Sequence, residues 1–132
     1  MANKHNNNCP CGSGHTYLDC CGRFIESGAI PSTPEQLMRS RYTAYTMKND
    51  GYLLDTWHAS TRPASLAEEN KLPVKWVELK VINSSDPVED DADGTVEFSA
   101  RYKVNGKAEI MHEVSEFIKE TGRWYYLKGK LS

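Results

Sequence analysis

Val96-Glu97-Phe98-Ser99-Ala100-Arg101-Tyr102-Lys103-Val104-Asn105-Gly106-Lys107 decides the fold of this 132-residue chain. Val96, Phe98, Ala100, Tyr102 and Val104 alternate with Glu97, Ser99, Arg101 and Lys103, the period of a strand with two chemically different faces. Asn105-Gly106 then supplies the two positive-φ positions of a type I′ turn, so the chain reverses into an antiparallel partner. A two-residue loop sets the register. Val104 falls opposite Lys107, Tyr102 opposite Glu109, Ala100 opposite Met111 and Phe98 opposite Glu113. On the other face, Ser99 meets His112 and Arg101 meets Ile110. Neither face is purely apolar, unlike a strand buried on one side only. Either a bulge shifts the phase, or one face lines a partly polar cavity.

Outward from this hairpin, the return strand runs from Lys107 to about Glu120, and Thr121-Gly122 turns it into a last strand, Arg123 to Leu131. Upstream, the acidic stretch Ser84 to Gly94 reads as an exposed loop. A strand of about nine residues from Val74, with apolar positions on both faces, precedes it. Before Pro73 the pattern is helical. Thr33 can cap a helix, Pro34 fits its first position and Gln36 completes a capping box. That helix runs to about Lys48, with Met38, Tyr42 and Tyr45 on one face and Arg39 and Arg41 flanking it. Asn49 or Asp50 opens a second short helix, Gly51 to His58, with Tyr52, Leu53 and Trp57 inward. Ser65-Leu66-Ala67-Glu68 is a further capping box, opening a short third helix that Pro73 ends. Three N-terminal helices followed by about four antiparallel strands make an α+β domain, expected over 32–132. Residues 23–33 read as a linker that anchors through Phe24 and Ile25.

All four cysteines, Cys9, Cys11, Cys20 and Cys21, precede that domain. The spacing C-x-C, then C-C, with Gly12, Gly14 and Gly22 allowing a tight loop, gathers four sulfurs at one point. Tetrahedral Zn²⁺ takes four thiolates at about 2.3 Å each in closed structural sites. Adjacent Cys20 and Cys21 could pair with each other only under strain, and the C-x-x-C of dithiol oxidoreductases is absent. His15 lies between the cysteine pairs, but four thiolates already fill the shell. The expectation is one structural zinc, with iron as the competing ion because Cys₄ sites accept either. So short a segment has little core of its own, so the metal would supply its folding free energy. An autonomous knuckle over 1–25 follows, with a disordered Asn-rich start.

Composition excludes several functions. The formal net charge of −2 gives no global reason for nucleic-acid binding, and no aromatic-basic RNA signature is present. No apolar run approaches the ~18 residues of a membrane span. The first eight residues lack the apolar core of a secretory signal. A cytoplasmic chain is expected, where clustered cysteines favour metal over disulfide. No phosphate-cradling loop or nucleophile elbow stands out. His112-Glu113 fails as a metalloprotease motif, because the second His it needs is replaced by Glu116. No catalytic residue is announced, and an enzyme is the less expected outcome.

Cys9-Pro10-Cys11-Gly12-Ser13-Gly14 followed by Cys20-Cys21-Gly22 resembles the SEC-C motif, the zinc-binding element also found at the C-terminus of the SecA translocation ATPase. Its usual last ligand is His or Cys, here Cys21. Leu37-Met38-Arg39-Ser40-Arg41-Tyr42-Thr43-Ala44-Tyr45 and Tyr52-Leu53-Leu54-Asp55-Thr56-Trp57-His58 are similar to the YchJ-like family of small bacterial proteins, as is His112-Glu113-x-Ser115-x-Phe117. The resemblance implies a SEC-C knuckle before a nuclear-transport-factor-2-like (NTF2-like) domain, three helices packed on a curved antiparallel sheet. In such cones a concave pocket serves some relatives as an active site and others for binding. Arg41, Tyr45, Trp57, His58, His112 and Glu113 are the residues such a pocket would draw on here. By analogy with the SecA tail, the knuckle implies docking of a protein partner. The expected function is therefore a zinc-binding accessory or adaptor protein, the alternative a small-ligand binder or enzyme using the pocket.

Overall fold

Four antiparallel strands, β1 (Val74–Ser84), β2 (Asp93–Val104), β3 (Lys107–Glu120) and β4 (Arg123–Leu131), form one sheet in sequence order, in a computed structural model that describes residues 8–66, 74–85 and 92–131. The β2–β3 turn is made by Asn105 (φ 53°) and Gly106 (φ 80°), the left-handed pair that a type I′ turn demands. From it the expected register follows without a shift, Val104 opposite Lys107 and Phe98 opposite Glu113. Thr121 (φ 55°) and Gly122 (φ 77°) repeat the device before β4.

Register shifts do occur, but elsewhere: between Trp76 and Glu78 and between Val81 and Asn83 in β1, and between Glu116 and Phe117 against β4. The mixed polarity of the hairpin is therefore not a phase error. Val96, Phe98 and Ala100 of β2 are buried together with Phe117 and Trp124, and the polar groups among them face a cavity described below. Ser84, Asp93 and Gly94 belong to strands rather than to the expected acidic loop; residues 86–91 of that loop lie outside the described residues.

The helices are α1 (Gly22–Ile25), α2 (Pro34–Thr46) and α3 (Asp50–Asp55). Thr33 caps α2 by accepting from Gln36 N at 3.1 Å, with Pro34 in the first turn. The reciprocal half of the box is displaced by one residue, since Gln36 Oε1 accepts from Ser32 N at 2.8 Å. Asn49 caps α3 through Tyr52 N at 3.1 Å. The second helix stops short of the expected His58 because the chain there pairs with β4. Tyr126 N donates to Thr56 O and His58 N donates to Tyr126 O, each at 2.8 Å. The four-residue α1 occupies part of the segment read as a linker. Of the expected third helix, Ser65 and Leu66 are not helical, although Leu66 is buried against Ala44 and Leu53. Residues 67–73 lie outside the described residues, as do 1–7 of the Asn-rich start. Asn8 itself bridges to Thr16.

The cysteine loop does not stand apart from the core: all four cysteines share a buried cluster with Leu37, Met38, Tyr42 and Leu79. The glycine-rich loop turns its sulfurs inward, onto α2 and β1, and Arg39 Nη1 ties it down by donating to Cys11 O at 2.9 Å.

Candidate functional site

The local fold of residues 9–22 is dictated by backbone bonds that bring the two cysteine pairs together. Cys9 N donates to His15 O at 2.9 Å, Gly12 N to Cys9 O at 3.1 Å and Gly22 N to Tyr17 O at 2.7 Å. Gly22 is needed there, since a Cβ would stand 2.7 Å from Tyr17 O. The four sulfurs lie within 4.8 Å of one another and could hold one metal ion. Cys11 and Cys20 sulfurs are 3.6 Å apart. That is far longer than a disulfide's ~2.05 Å and close to the ~3.8 Å edge of a tetrahedron with 2.3 Å bonds. The donor set fits a thiolate-seeking ion. All four cysteines are buried, so such a site has no open position for substrate.

Charge supports the same chemistry. The Cys21 and Cys9 thiols beside it hold Cys11 well below the usual thiol range. Cys21, hydrogen-bonded to Cys11 and Cys9, is pushed above that range, and burial raises Cys20. Packed sulfurs resist sharing negative charge until a cation joins them. Around them, Ser13 Oγ stands 3.1 Å from Cys20 Sγ and Thr43 Oγ1 3.7 Å from Cys9 Sγ. His15 is exposed and outside this cluster.

Next to the cysteine cluster, and sharing Met38 and Tyr42 with it, is a cavity of about 240 Å³. Met111, Glu113, Ser115 and Phe117 reach it as alternate positions of β3, Phe98 from β2, Tyr126 from β4, and Met38, Arg41, Tyr42 and Tyr45 from α2. Trp76 closes a wall, with Tyr42 edge-on at 5.9 Å and Tyr45 at 6.0 Å. Burial pushes the Tyr42 phenol up to about 12, so it stays a neutral donor. Glu113 accepts from Ser115 Oγ at 2.6 Å, and its carboxylate lies against Gly129, where any Cβ would collide with it.

Three of the six expected pocket residues, Arg41, Tyr45 and Glu113, line this cavity. Trp57 stands behind Arg41, its ring 5.1 Å from the guanidinium and edge-on to Tyr126 at 5.1 Å. His112 projects from the opposite face of β3, because adjacent strand residues alternate; its Nε2 meets Glu97 Oε2 at 2.6 Å. His58 is also directed elsewhere, to Glu120 Oε2 at 3.1 Å and Ser60 Oγ at 2.7 Å. The cavity takes eight residues beyond those expected, of which Ser115, Met111 and Tyr126 are instructive. The first two are recoverable as i+2 and i−2 of Glu113 once its face is known; Tyr126 is not, because it arrives from another strand.

Comparison with known proteins bears on both halves. The family model for the middle NTF2-like domain of YchJ matches residues 33–129, and the SEC-C motif model matches residues 6–23. A UPF0225 protein of Chromobacterium violaceum is 52% identical over 123 residues, covering 92% of this chain and 90% of that one. A UPF0225 protein of Bordetella pertussis is 46% identical over 125 residues, covering 93% and 92%. Among solved structures, a SEC-C motif containing protein from Rhodopseudomonas palustris superposes with a TM-score of 0.84 at 38% identity, covering 94% of this chain and 98% of that one. One from Psychrobacter arcticus gives 0.74 at 28% identity, covering 94% and 82%.

Proposed function

The chain belongs to the YchJ family of SEC-C proteins with an NTF2-like domain, and from that premise we propose that it is a zinc-binding cytoplasmic accessory protein whose knuckle docks a protein partner. The observation that carries the metal is the mutual placement of four buried cysteine sulfurs within 4.8 Å. Cys9, Cys11, Cys20 and Cys21 would hold one Zn²⁺, which supplies cross-linking and charge neutralisation rather than Lewis-acid chemistry, since no open coordination position remains. Iron competes for the same sulfurs.

Docking is supported by what the knuckle leaves outside. Leu18 is 69% exposed and Met47 43% exposed, and both line one shallow groove with Pro10 and Tyr17. A closed metal loop holds that apolar surface rigid, which lowers the ordering cost of binding a peptide segment. No helix among the described residues is long and apolar enough to cross a membrane.

Elemental analysis of freshly purified reduced protein tests the metal: one zinc per chain is expected, and metal-free protein would sink the reading. For docking, a pull-down with Leu18→Asp should lose the partner that Glu113→Ala keeps. Equal capture by both variants rejects the knuckle as the docking element.

A second reading has its own observation, the partly polar cavity under α2. An α+β domain that spends buried volume on a cavity with Arg41 and Glu113 in its walls is built to bind a small ligand. No reaction type follows from these groups.

A further inference from the structure

The cavity holds a charged group that is buried without an opposite charge in contact with it among the described residues. Arg41 is 5% exposed and lines the cavity. Among the described residues it makes no ion pair with a carboxylate. One of its terminal nitrogens donates to Leu53 O and Thr56 Oγ1, each at 2.7 Å, and its side chain also hydrogen-bonds Tyr45. Its guanidinium carbon lies 5.1 Å from the Trp57 ring and 4.4 Å from the Tyr126 ring. The group is thus oriented by two rings and by the end of α3.

None of these partners carries a negative charge. Removing an ion from water costs several kcal/mol even after relaxation. Cation–π contacts and hydrogen bonds offset that cost but leave the positive charge without a carboxylate counterion among the described residues. Glu113 lines the same cavity, but its carboxylate accepts from Ser115 Oγ at 2.6 Å and forms no ion pair with Arg41. A fixed guanidinium fork facing a cavity matches a planar carboxylate in two parallel bonds, which a lysine could not do.

The rest of the wall sets the body of the ligand. Tyr42, Tyr45, Trp76, Phe98 and Phe117 supply ring faces and edges. A cavity of about 150 Å³ suffices for benzene, and drug-sized ligands occupy about 300–1,000 Å³. At about 240 Å³ the space suits one ring with a short substituent.

We propose that the cavity binds a small aromatic carboxylate, its ring against Trp76, Tyr42 and Phe98 and its carboxylate on Arg41. This rests on the cavity reading given as the second one above, and it names the ligand class for it. The test is a titration of the intact, metal-loaded protein with phenylacetate and, separately, with its neutral counterpart 2-phenylethanol. Binding is followed through the methyl resonances of Met38 and Met111, both in the cavity wall. Saturable shifts are expected with phenylacetate, at an affinity at least tenfold higher than with the alcohol. Equal affinities overturn the carboxylate assignment while leaving the cavity a ligand site. No shift of either methyl with either probe overturns both. Arg41→Lys keeps the charge but not the fork, and should weaken phenylacetate at least tenfold without changing the alcohol. Undiminished phenylacetate binding in that variant rejects Arg41 as the anchor. If the variant does not fold, the comparison of the two probes on the unsubstituted protein decides.

Discussion

Removing the metal should loosen the α+β domain as well as the knuckle. The cysteine loop is continuous with Leu37, Met38, Tyr42 and Leu79 in one buried cluster, and Arg39 holds Cys11 O at 2.9 Å. A loop this short depends on its metal for order, so chelation uncovers the side of α2 and β1 that it shields. Leu37, Met38 and Leu79 are each more than nine-tenths buried, and full exposure of such a side chain costs about 1.5–3 kcal/mol. The sheet shields them too, so about half of the combined cost is lost with the loop, about 2–4 kcal/mol. At about 4 °C per kcal/mol for a domain between the two size classes, the melting temperature should fall by about 8–16 °C. Trp57, Trp76 and Trp124 all lie outside the loop, so near-ultraviolet circular dichroism or tryptophan fluorescence during melting reports the domain itself. The comparison is between zinc-loaded protein and protein stripped by chelator under reducing conditions. A melt unchanged within about 2 °C would refute the coupling and return the knuckle to an independent unit.

Metal affinity should rise with pH. The Cys20 and Cys21 thiols are pushed above their usual value in the metal-free site, so both are protonated at neutral pH and both protons leave when the metal enters. At least two released protons steepen apparent affinity by at least about 100-fold per pH unit, to be measured against a chromophoric chelator at pH 6 and 7; a flat profile contradicts the proton release. Phe117→Ala should cost about 3–5 kcal/mol in urea unfolding, because the Phe117 side chain of β3 is 2% exposed and packs in the core cluster with Leu37 and Met38. His112→Ala should cost less than about 1 kcal/mol, since its pair with Glu97 is one-third exposed on the outer face; a loss comparable to that of Phe117→Ala would place His112 in the core. Thr33→Ala should cost about 1 kcal/mol through loss of the cap on Gln36 N, read from the same unfolding curves.

The hairpin shows why some features were legible without coordinates. Asn105-Gly106 admits one turn geometry, and that turn fixes every cross-strand pair from Val104–Lys107 to Phe98–Glu113. His112 and Glu113 also show where the reading could have gone further. Neighbours in a strand cannot share a face, so only one of them could ever reach a cavity. Nothing in the local pattern says which face the helices cover, because both carry polar residues. His58 was lost for a related reason: its segment looked helical by period, but pairing with Tyr126 ended α3 at Asp55.

By itself, then, the sequence determined what short-range chemistry controls: the caps of α2 and α3, the two left-handed turns, the register of β2 on β3 and the gathering of four cysteines into one loop. These depend on φ preferences, side-chain period and ligand spacing, all of which act within a few residues. Only the tertiary structure decided the burial of Arg41 between Trp57 and Tyr126, the choice of Glu113 over His112 for the cavity, and the merging of the cysteine loop with the core. Those outcomes depend on which surfaces from distant parts of the chain exclude water together, and burial of that kind is a property of the whole packing rather than of any one segment.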